Sequence, residues 1–405
     1  EAGEQKPRVQ RTLDRFAQWY TPSVISASVL VYLISRDMHL ALTFLVIACP
    51  GALVAAAPVA MIAGLGSSAR RGVLIKGGER LERIARIDTV AFDKTGTLTL
   101  GRPRVVAVEA FEGSSPEQVL AAAASAELRS EHHLASAILA RAEADGVDPL
   151  PAHDWDLRPG QGVVAVTDDG LQAAVGNTAL MKALEVAVSP EQHAAVESRE
   201  AEGETVALVS LAGRAIGLIG IADEPRPDAA AAITALRDAG IDRIVMLTGD
   251  NRRAALHVGA VLGIHSDHIR AGLMPDEKVG AIRDLQAAGA RVAMVGDGIN
   301  DAPALATADV SIAMGASATR AAMEAADIAL MSNNLMRIPQ AMTQSRRILQ
   351  VVRQNVALAV GVVVFLLAGV LAGRVHLASG MAVHEASILA VTLNGMRLLK
   401  QPRRG

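Results

Sequence analysis

The sequence predicts a doubly wound α/β sheet that is interrupted by a separate α+β insert and attached to four transmembrane α-helices. Three observations support this fold class. Four long apolar stretches form two pairs, short apolar runs alternate with Ala-rich amphipathic segments between the pairs, and this alternation stops over residues 106–215. Strand–helix alternation is typical of a parallel sheet, and about 20 apolar residues are enough to cross a bilayer as a helix.

The composition excludes several classes of protein. The chain has 405 residues, of which 51% are hydrophobic, and its mean hydropathy of +0.31 is too high for an ordinary soluble enzyme. A formal net charge of -3 argues against a nucleic-acid-binding protein. The single cysteine, Cys49, excludes an internal disulfide. Length and hydropathy together predict two or three domains, part of which lie in a membrane.

The four apolar stretches are predicted to cross the membrane as two hairpins. They comprise residues 16–35, 38–66, 356–373 and 375–393. Lysine and arginine residues cluster where the stretches meet the large polar region and near both ends of the chain, whereas the connecting loops hold only Arg36 and Arg374. Because such positive charge stays on the cytoplasmic side, the polar region and both termini are expected in the cytoplasm.

The polar region between the hairpins is itself divided. Apolar runs at residues 244–247 and 292–295 precede acidic loops and predict strands of a parallel sheet. The insert is expected to contain two helices and three strands, near residues 116–127, 134–144, 163–167, 172–175 and 205–210. The predicted domains are a linker with the first helix pair, the α/β domain, the insert, and the second helix pair with a short tail: residues 1–66, 67–105 with 216–345, 106–215, and 346–405.

The first strand of the α/β domain carries the strongest motif. The apolar run at residues 90–92 ends at Asp93, which opens the string Asp-Lys-Thr-Gly-Thr-Leu-Thr. A carboxylate at this end of a strand lies where open α/β sheets bind ligands, and it can coordinate Mg²⁺ or attack a phosphorus atom. Lys94, Thr95 and Thr97 can satisfy phosphate oxygens. A lone strand-end Asp is more often part of a turn, but the length of the string favours a reactive site.

Further acidic loops follow other strands of the same predicted sheet. They are Thr248-Gly249-Asp250, and Asp297 with Asn300 and Asp301. Strand ends of a parallel sheet lie along one edge, so these loops are expected to meet Asp93. Asp93 and Asp297, with the Thr95 carbonyl, are the predicted Mg²⁺ ligands. Thr248, Gly249 and Lys278 are predicted to hold the transferred phosphoryl group and stabilise its charge.

These loops, together with the segment Asp223-Glu224-Pro225-Arg226-Pro227, resemble the phosphorylation domain of the P-type ATPases, which has a haloacid-dehalogenase-like fold. The resemblance implies that Asp93 takes a phosphoryl group from ATP and that Asp297 binds Mg²⁺. It also implies that Asp223 and Arg226 mark the hinge beneath a nucleotide-binding insert.

The insert carries a second resemblance. Ser130-Glu131-His132-His133 is similar to the Ser-Glu-His-Pro motif of heavy-metal pumps, with His133 in place of the proline. By this resemblance His132 packs against adenine, and the same adenine pocket includes Glu127, Gly160, Gly162 and Asn177, while Arg226 lies at its base. The insert is therefore expected to bind ATP, with Mg²⁺ as the second cofactor.

The second apolar stretch contains Cys49-Pro50-Gly51 near its middle. Pro50 removes a backbone hydrogen bond and frees carbonyl groups near Cys49, whose thiolate is a candidate transition-metal ligand. In an arbitrary helix this Cys would be a packing residue, but the triplet resembles the Cys-Pro-Cys signature of heavy-metal P-type ATPases, with Gly51 replacing the second Cys.

The fourth stretch contains His384-Glu385 in an otherwise apolar setting. A carboxylate inside a membrane costs several kcal/mol, so it is expected to face a partner or an ion. Similar His-Glu pairs occur in divalent-metal pumps. Cys49, His384 and Glu385 form a mixed sulfur, nitrogen and oxygen set that suits Zn²⁺, Cd²⁺ or Co²⁺ better than Cu⁺, with Mn²⁺, Fe²⁺ and Ni²⁺ left open.

The family has an actuator domain with a Thr-Gly-Glu motif, and the sequence has no such string. The chain is therefore expected to be the carboxyl-terminal portion of a metal pump, able to bind ATP and form a phosphoenzyme but not to complete a transport cycle alone. A membrane-anchored phosphatase of the same superfamily, a potassium-type pump subunit and an inactive interaction partner remain alternatives. Labelling by ATP or by a small phosphomonoester, and its dependence on metal, would distinguish them.

Overall fold

The computed structural model describes residues 7–130, 133–298, 301–315 and 320–399. Its strands are β1 (Val73–Ile75), β2 (Thr89–Asp93), β3 (Arg104–Ala110), β4 (Ala152–Arg158), β5 (Gly162–Thr167), β6 (Gln172–Gly176), β7 (Thr205–Leu211), β8 (Arg214–Ala222), β9 (Arg243–Leu247), β10 (Ile269–Arg270), β11 (Val292–Gly296), β12 (Val310–Met314) and β13 (Ile328–Leu330). Its α-helices are α1 (Arg8–Ser35), α2 (Met38–Ile47), α3 (Gly51–Ala69), α4 (Gly78–Ile84), α5 (Pro116–Glu127), α6 (His133–Asp145), α7 (Thr178–Ala183), α8 (Pro190–Ala201), α9 (Ala229–Asp238), α10 (Arg252–Leu262), α11 (Pro275–Ala287), α12 (Ala302–Thr307), α13 (Arg320–Ala325), α14 (Arg337–Leu371) and α15 (Leu377–Met396).

The strands around β2 form a seven-stranded sheet in the order β1-β13-β12-β11-β2-β9-β10. All neighbouring pairs are parallel except β1 with β13 at one edge. Side chains of β2 alternate between two apolar cores. Val90 and Phe92 pack in a core that includes α9 and α10, and Ala91 packs in a core that includes α11 and α12. The predicted doubly wound sheet is confirmed, because helices cover both faces.

The insert forms a separate six-stranded antiparallel sheet in the order β3-β8-β7-β6-β5-β4. One face packs against α5 and α6, and the other packs against α7 and α8. The helices and strands predicted for the insert are present with nearly the predicted bounds. The sheet extends beyond the predicted limits of 106 and 215, however, from Arg104 to Ala222. The reason is that β8 pairs with both β3 and β7 over its length, so its apolar residues 216–222 belong to the insert.

Two chain segments connect the sheets, and one carboxylate ties them together. Asp223, just after β8, accepts hydrogen bonds from the Thr99 hydroxyl at 2.5 Å, the Gly101 N–H at 3.2 Å and the Arg102 N–H at 3.1 Å. The Leu100 N–H also donates to the Glu224 carbonyl at 2.9 Å. The connection is therefore held at the position where the sequence predicts a hinge.

Five helices form the apolar end of the molecule. Two helical segments of the described chain, residues 38–69 and 337–371, are long and apolar enough to span a membrane by length and composition. The first and fourth predicted spans lie in α1 and α15, which do not meet that criterion, so four crossings remain a prediction. Large apolar side chains are nevertheless exposed on all five helices, for example Trp19, Leu42, Ile62, Phe365 and Leu389.

The second predicted span is interrupted where the sequence places Pro50. Helix α2 ends at Ile47 and α3 begins at Gly51, with residues 48–50 between them. Pro58 lies inside α3, which continues through it to Ala69. The break, unlike the second proline, therefore divides the segment into two helices.

Candidate functional site

The predicted acidic loops meet at the carboxyl edge of the seven-stranded sheet. Asp93 is the last residue of β2 and pairs in register with Leu247, which precedes Thr248. On the other side of β2, Phe92 pairs with Val295, two residues before Asp297. The three loops adjoin because β9, β2 and β11 are consecutive parallel strands. The convergence predicted from the sequence is thus present.

A buried charge cluster occupies this edge. The Lys278 ammonium nitrogen lies 2.5 Å from Asp93 Oδ1 and 2.7 Å from Asp301 Oδ1, and all three residues are buried. Burial and the negative charges of Asp301 and Asp297 raise the pKa of Asp93 to about 7, although Lys278 acts in the opposite direction. Burial lowers the pKa of Lys278, but Asp93 and Asp301 outweigh it, and the net shift is upward.

A second ion pair lies beside the first. The sequence suggested that Lys94 satisfies phosphate oxygens. In the structure its ammonium group contacts the Asp250 carboxylate, so Lys94 is already paired with an acid. Asp297 Oδ2 lies near Gly96, since a Cβ built on that glycine would be 3.4 Å away. Carboxylates therefore outnumber ammonium groups at this edge. An excess of carboxylate oxygen fits Mg²⁺, a hard cation that prefers oxygen ligands.

The loop after β9 is positioned by main-chain bonds. The Thr248 N–H donates to the Arg270 carbonyl at 3.0 Å, and the Thr248 hydroxyl accepts from the Asp250 N–H at 3.1 Å. Thr248 is buried, and a Cβ at Gly249 would lie 3.3 Å from the Leu273 carbonyl oxygen. The predicted phosphate-binding groups are therefore at the site. Asn300 falls outside the described residues.

Arg226 holds the loop that follows Asp93. Its Nε donates to the Thr97 carbonyl at 2.8 Å and its Nη2 to the Gly96 carbonyl at 2.7 Å. The side chain is buried, and Gly96 adopts a positive φ of 73° that favours glycine. Sequence reasoning placed Arg226 at the hinge and beside the cofactor, but it missed this direct support of the loop.

The insert contains a cavity of about 620 Å³. Among the predicted adenine-pocket residues it is lined by Glu127, Gly160, Gly162 and Asn177. Glu127 is buried, and its Oε2 has no hydrogen-bond partner within the described part of the chain. Burial raises its pKa, while a hydrogen bond with Ser130 acts in the opposite direction. His132 lies outside the described residues.

Gly160, Gly162 and Asn177 shape the backbone at the mouth of the cavity. A Cβ at Gly162 would lie 2.1 Å from the Val175 carbonyl oxygen, whereas a Cβ at Gly160 would have no atom within 4 Å among the described residues. Gly162 is therefore required by the packing of β5 on β6, and Gly160 leaves open space. Asn177 caps α7 by accepting from the Leu180 N–H and donates to the Gly160 carbonyl at 2.9 Å. This clamp was not predicted.

A narrow cleft lies between the sheet edge and the insert. Lys94, Thr95 and Asp250 line one side of it. Leu134 and Thr205, which line the other side, also line the cavity of the insert. The cleft therefore adjoins both the cavity of the insert and the loop that follows Asp93.

The break between α2 and α3 faces α15. A Cβ built on Gly51 would lie 3.2 Å from His384 Nε2, so the absence of a side chain at position 51 makes room for the imidazole. His384 is buried, and its Nδ1 has no hydrogen-bond partner among the described residues. The Tyr20 hydroxyl donates to the Ala48 carbonyl at 2.9 Å, one residue before Cys49.

The three predicted ligands of a transported ion are not assembled in one cluster. Glu385 and Cys49 are exposed, and His384 is buried. Consecutive residues of a helix point in directions about 100° apart, which turns Glu385 away when His384 faces Gly51. Over residues 7–130, 133–298, 301–315 and 320–399, no three His, Cys, Asp or Glu side chains form a group that could hold a metal ion.

The fold and the carboxylate edge define a haloacid dehalogenase-like hydrolase, and the model of that family matches residues 87–309. Within it, the chain belongs to the P-type ATPases. It is 41% identical to a manganese-exporting P-type ATPase of Mycobacterium tuberculosis over 99% of its own length and 55% of the relative. It is 40% identical to a zinc-exporting P-type ATPase of Mycobacterium marinum over 99% of its length and 54% of the relative.

Solved structures agree with this assignment. A zinc-transporting PIB-type ATPase in the E2.Pi state is similar with a TM-score of 0.75 and 37% identity, covering 96% of this chain and 64% of that one. A catalytic CPx-ATPase domain is similar with a TM-score of 0.53 and 32% identity, covering 69% of this chain and 98% of the domain. The chain spans about half the length of the curated relatives it matches.

Proposed function

We propose that this chain is the part of a metal-exporting P-type ATPase that binds ATP, accepts its γ-phosphoryl group on Asp93 and holds the transported ion among the apolar helices. The observation that carries the proposal is the buried cluster of Asp93, Lys278 and Asp301 at the edge of the sheet, next to a cleft that adjoins the cavity of the insert.

Asp93 has the position required of a nucleophile. Its carboxylate lies at the end of a strand, where an Oδ atom can form a bond to the γ-phosphorus while the bond to the bridging oxygen of ADP breaks. Lys278 neutralises the negative charge that the γ-phosphoryl oxygens bring into a buried site. The Thr248 hydroxyl and the Gly249 N–H are the donors proposed for those oxygens.

Mg²⁺ would be held by Asp93, Asp297 and the Thr95 carbonyl. When bound, it supplies positive charge that screens the phosphate oxygens from the carboxylates. Asp301 stays paired with Lys278 and keeps the ammonium group aimed at Asp93. Lys94 and Asp250 fix the two flanking loops to each other.

The insert is the proposed ATP site. Glu127 presents a carboxylate oxygen that has no hydrogen-bond partner among the described residues and can accept one from the amine of adenine. Gly160 and Asn177 hold the opposite rim, and the family resemblance places His132 against the adenine ring. The triphosphate would then extend along the cleft past Thr205 toward Asp93.

The ion site is proposed at the break between α2 and α3. Cys49, His384 and the carbonyl groups freed by Pro50 supply sulfur, nitrogen and oxygen donors. Because Glu385 is exposed on the other side of α15, its entry into the site would require α15 to rotate. The ion is proposed to be a divalent transition metal, consistent with relatives named for manganese, zinc and cadmium.

The proposed location is a membrane, with both sheets on the cytoplasmic side. Two apolar helical segments and the exposed apolar side chains on all five helices support it. The actuator function needed for a complete cycle is proposed to be supplied from outside this chain. An isolated chain would then accumulate phosphate on Asp93 more readily than it turns over.

Acid-stable labelling with γ-labelled ATP tests this function. Wild type is expected to label in the presence of one or more divalent metals, Asp93→Asn to lose all label, and Cys49→Ala to lose the metal dependence. A panel of Zn²⁺, Cd²⁺, Co²⁺, Mn²⁺, Fe²⁺ and Ni²⁺ identifies the ion. Labelling by a small phosphomonoester but not by ATP would overturn the proposal in favour of a phosphatase.

A further inference from the structure

Helix α14 connects the seven-stranded sheet with the apolar helices as one continuous helix of 35 residues. Its first part, including Ile338 and Met342, packs in the core that contains β2 and α9. Farther along, Ala359 packs against α3 and α15, and Leu366 packs against α2. An uninterrupted helix moves largely as a rigid rod, so a displacement at one end reaches the other.

Arg346 attaches this helix to the sheet. Its Nε donates to the Ala85 carbonyl at 3.1 Å, its Nη2 to the Ile87 carbonyl at 3.2 Å, and its Nη1 to the Ala239 carbonyl. Ala85 and Ala239 are the C-caps of α4 and α9. A cation at two helix C-termini is favoured by their partial negative charge, and the planar guanidinium serves three acceptors at once.

The two helices that Arg346 binds precede the strands that lead to the candidate phosphorylation site. Helix α4 leads into β2, which ends at Asp93. Helix α9 begins directly after the hinge segment and leads into β9, which ends before Thr248. Two residues before α14, the Leu335 N–H donates to Asp228, the N-cap of α9, at 2.7 Å. A movement of α4 or α9 would therefore be transmitted to α14 through Arg346.

Asn355 attaches the same helix to the apolar helices, nine residues after Arg346. Its amide nitrogen lies 3.2 Å from both the Ala56 carbonyl of α3 and the Val391 carbonyl of α15, and its oxygen accepts from Asn394 at 2.7 Å. At about 1.5 Å per residue, the two attachments are roughly 13 Å apart along the axis. Helices α3 and α15 carry Gly51 and His384 of the proposed ion site.

We propose that Arg346 is the positioning residue through which occupancy of the ion site controls phosphorylation of Asp93. This inference rests on the proposed function and assigns the coupling to one side chain. Sequence reasoning counted Arg346 and Arg347 only as cytoplasmic positive charge. The structure separates them, because Arg347 is exposed and Arg346 bonds the sheet.

The test compares Arg346→Ala and Arg346→Lys with the matched control Arg347→Ala, which removes the same charge at the next position. The ratio of ATP labelling with metal to labelling without metal is measured in the full chain. Arg346→Ala is expected to reduce this ratio about tenfold or to unity, Arg346→Lys to give an intermediate ratio because one ammonium cannot serve three carbonyls, and Arg347→Ala to leave it unchanged. Equilibrium metal binding is measured in the same samples.

A purely structural role would lower total labelling and leave the ratio unchanged, and this result would overturn the proposal. An equal loss of the labelling ratio in Arg347→Ala would also overturn the proposal. Absence of label in wild type would refute the proposed function instead. In that case amide hydrogen exchange of α14, with and without a nonhydrolysable ATP analogue, still decides: a change in wild type that is lost in Arg346→Ala supports coupling, and no change in wild type refutes it.

Discussion

Glu127 is the residue in the insert whose environment most directly indicates a ligand. Its buried Oε2 has no hydrogen-bond partner among the residues that the structure describes. A buried acceptor without a donor costs about 1–3 kcal/mol, so a native protein retains one where a ligand supplies the missing hydrogen bond. The rim of the same cavity is held by Asn177, which bonds the Gly160 carbonyl. The cavity therefore has an available acceptor on one side and a hydrogen-bonded rim on the other.

We predict that Glu127 makes ATP binding depend on pH. Burial raises its pKa above the ordinary glutamate value, and the ionised carboxylate is a stronger acceptor for the adenine amine than the protonated carboxyl group. Affinity is therefore expected to fall roughly threefold to tenfold as the pH is lowered from neutral through that raised pKa. Calorimetric titration of ATP at several pH values measures the effect.

The control for this prediction lies on the same helix. Glu127→Gln keeps an acceptor oxygen but does not titrate, so its ATP affinity should lose this component of the pH dependence. Glu117→Gln alters an exposed residue of α5 and should behave like wild type. Equal pH profiles for wild type and Glu127→Gln would show that Glu127 does not contact the base.

At the scale of elements, the break between α2 and α3 has a single chemical cause. Pro50 has no N–H to donate to Val46, and the Val46 carbonyl instead accepts from the Cys49 N–H at 3.2 Å. The Tyr20 hydroxyl donates a hydrogen bond to the Ala48 carbonyl. In an apolar environment a carbonyl without a donor is costly, so any carbonyl that the break leaves without one would be suited to a cation.

We predict that Pro50→Ala joins α2 and α3 and weakens the ion site. The new N–H can continue the helical hydrogen-bond ladder, which would withdraw main-chain oxygens from the ion and turn Cys49 with the helix. Metal affinity is expected to fall roughly tenfold. Pro58→Ala is the matched control, since α3 already continues through Pro58. Equilibrium metal binding checks both variants, and equal losses would contradict the prediction.

The elements differ in how far the sequence predicts them. The strand ending at Asp93, the break at Pro50 and the helices of the insert follow from local signals: an apolar run, a proline and caps such as Ser115. The long-range hydrogen bonds of Arg226 and Arg346 were not predictable. Their acceptors are main-chain carbonyls distant in sequence, and a carbonyl has no residue-specific signature. The exposure of Glu385 depends on helix rotation, which hydropathy does not determine.

At the scale of the whole molecule, the two sheets have separate cores and meet through few contacts. Besides the connections at Asp223, α8 of the insert touches α10 of the α/β domain. Arg253 Nη2 lies 3.0 Å from Glu197 and its Nη1 lies 3.2 Å from Glu200. Nearby, a Cβ at Gly203 would lie 2.5 Å from the His257 ring, so the glycine permits this close approach. Such a small polar interface is typical of domains that move relative to each other.

We predict that Arg253→Ala increases the fraction of molecules in which the insert swings away from the α/β domain. Exposed ion pairs are weak and screened by salt, so the expected change is roughly twofold to fivefold rather than a loss of folding. Opening should expose the connecting segment, where the bond after Arg104 is a candidate trypsin site, and limited proteolysis measures the rate of cleavage there. Raising the salt concentration should speed cleavage of wild type and leave Arg253→Ala nearly unaffected.

Arg252→Ala provides the comparison, because Arg252 is an exposed neighbour on the same helix and its removal takes away the same charge. It should be cleaved at the wild-type rate. Adding a nonhydrolysable ATP analogue should slow cleavage in all three proteins if the nucleotide bridges the insert and the edge containing Asp93. Cleavage that is equally fast in Arg252→Ala and Arg253→Ala would show that general surface charge, and not the contact between α8 and α10, restrains the insert.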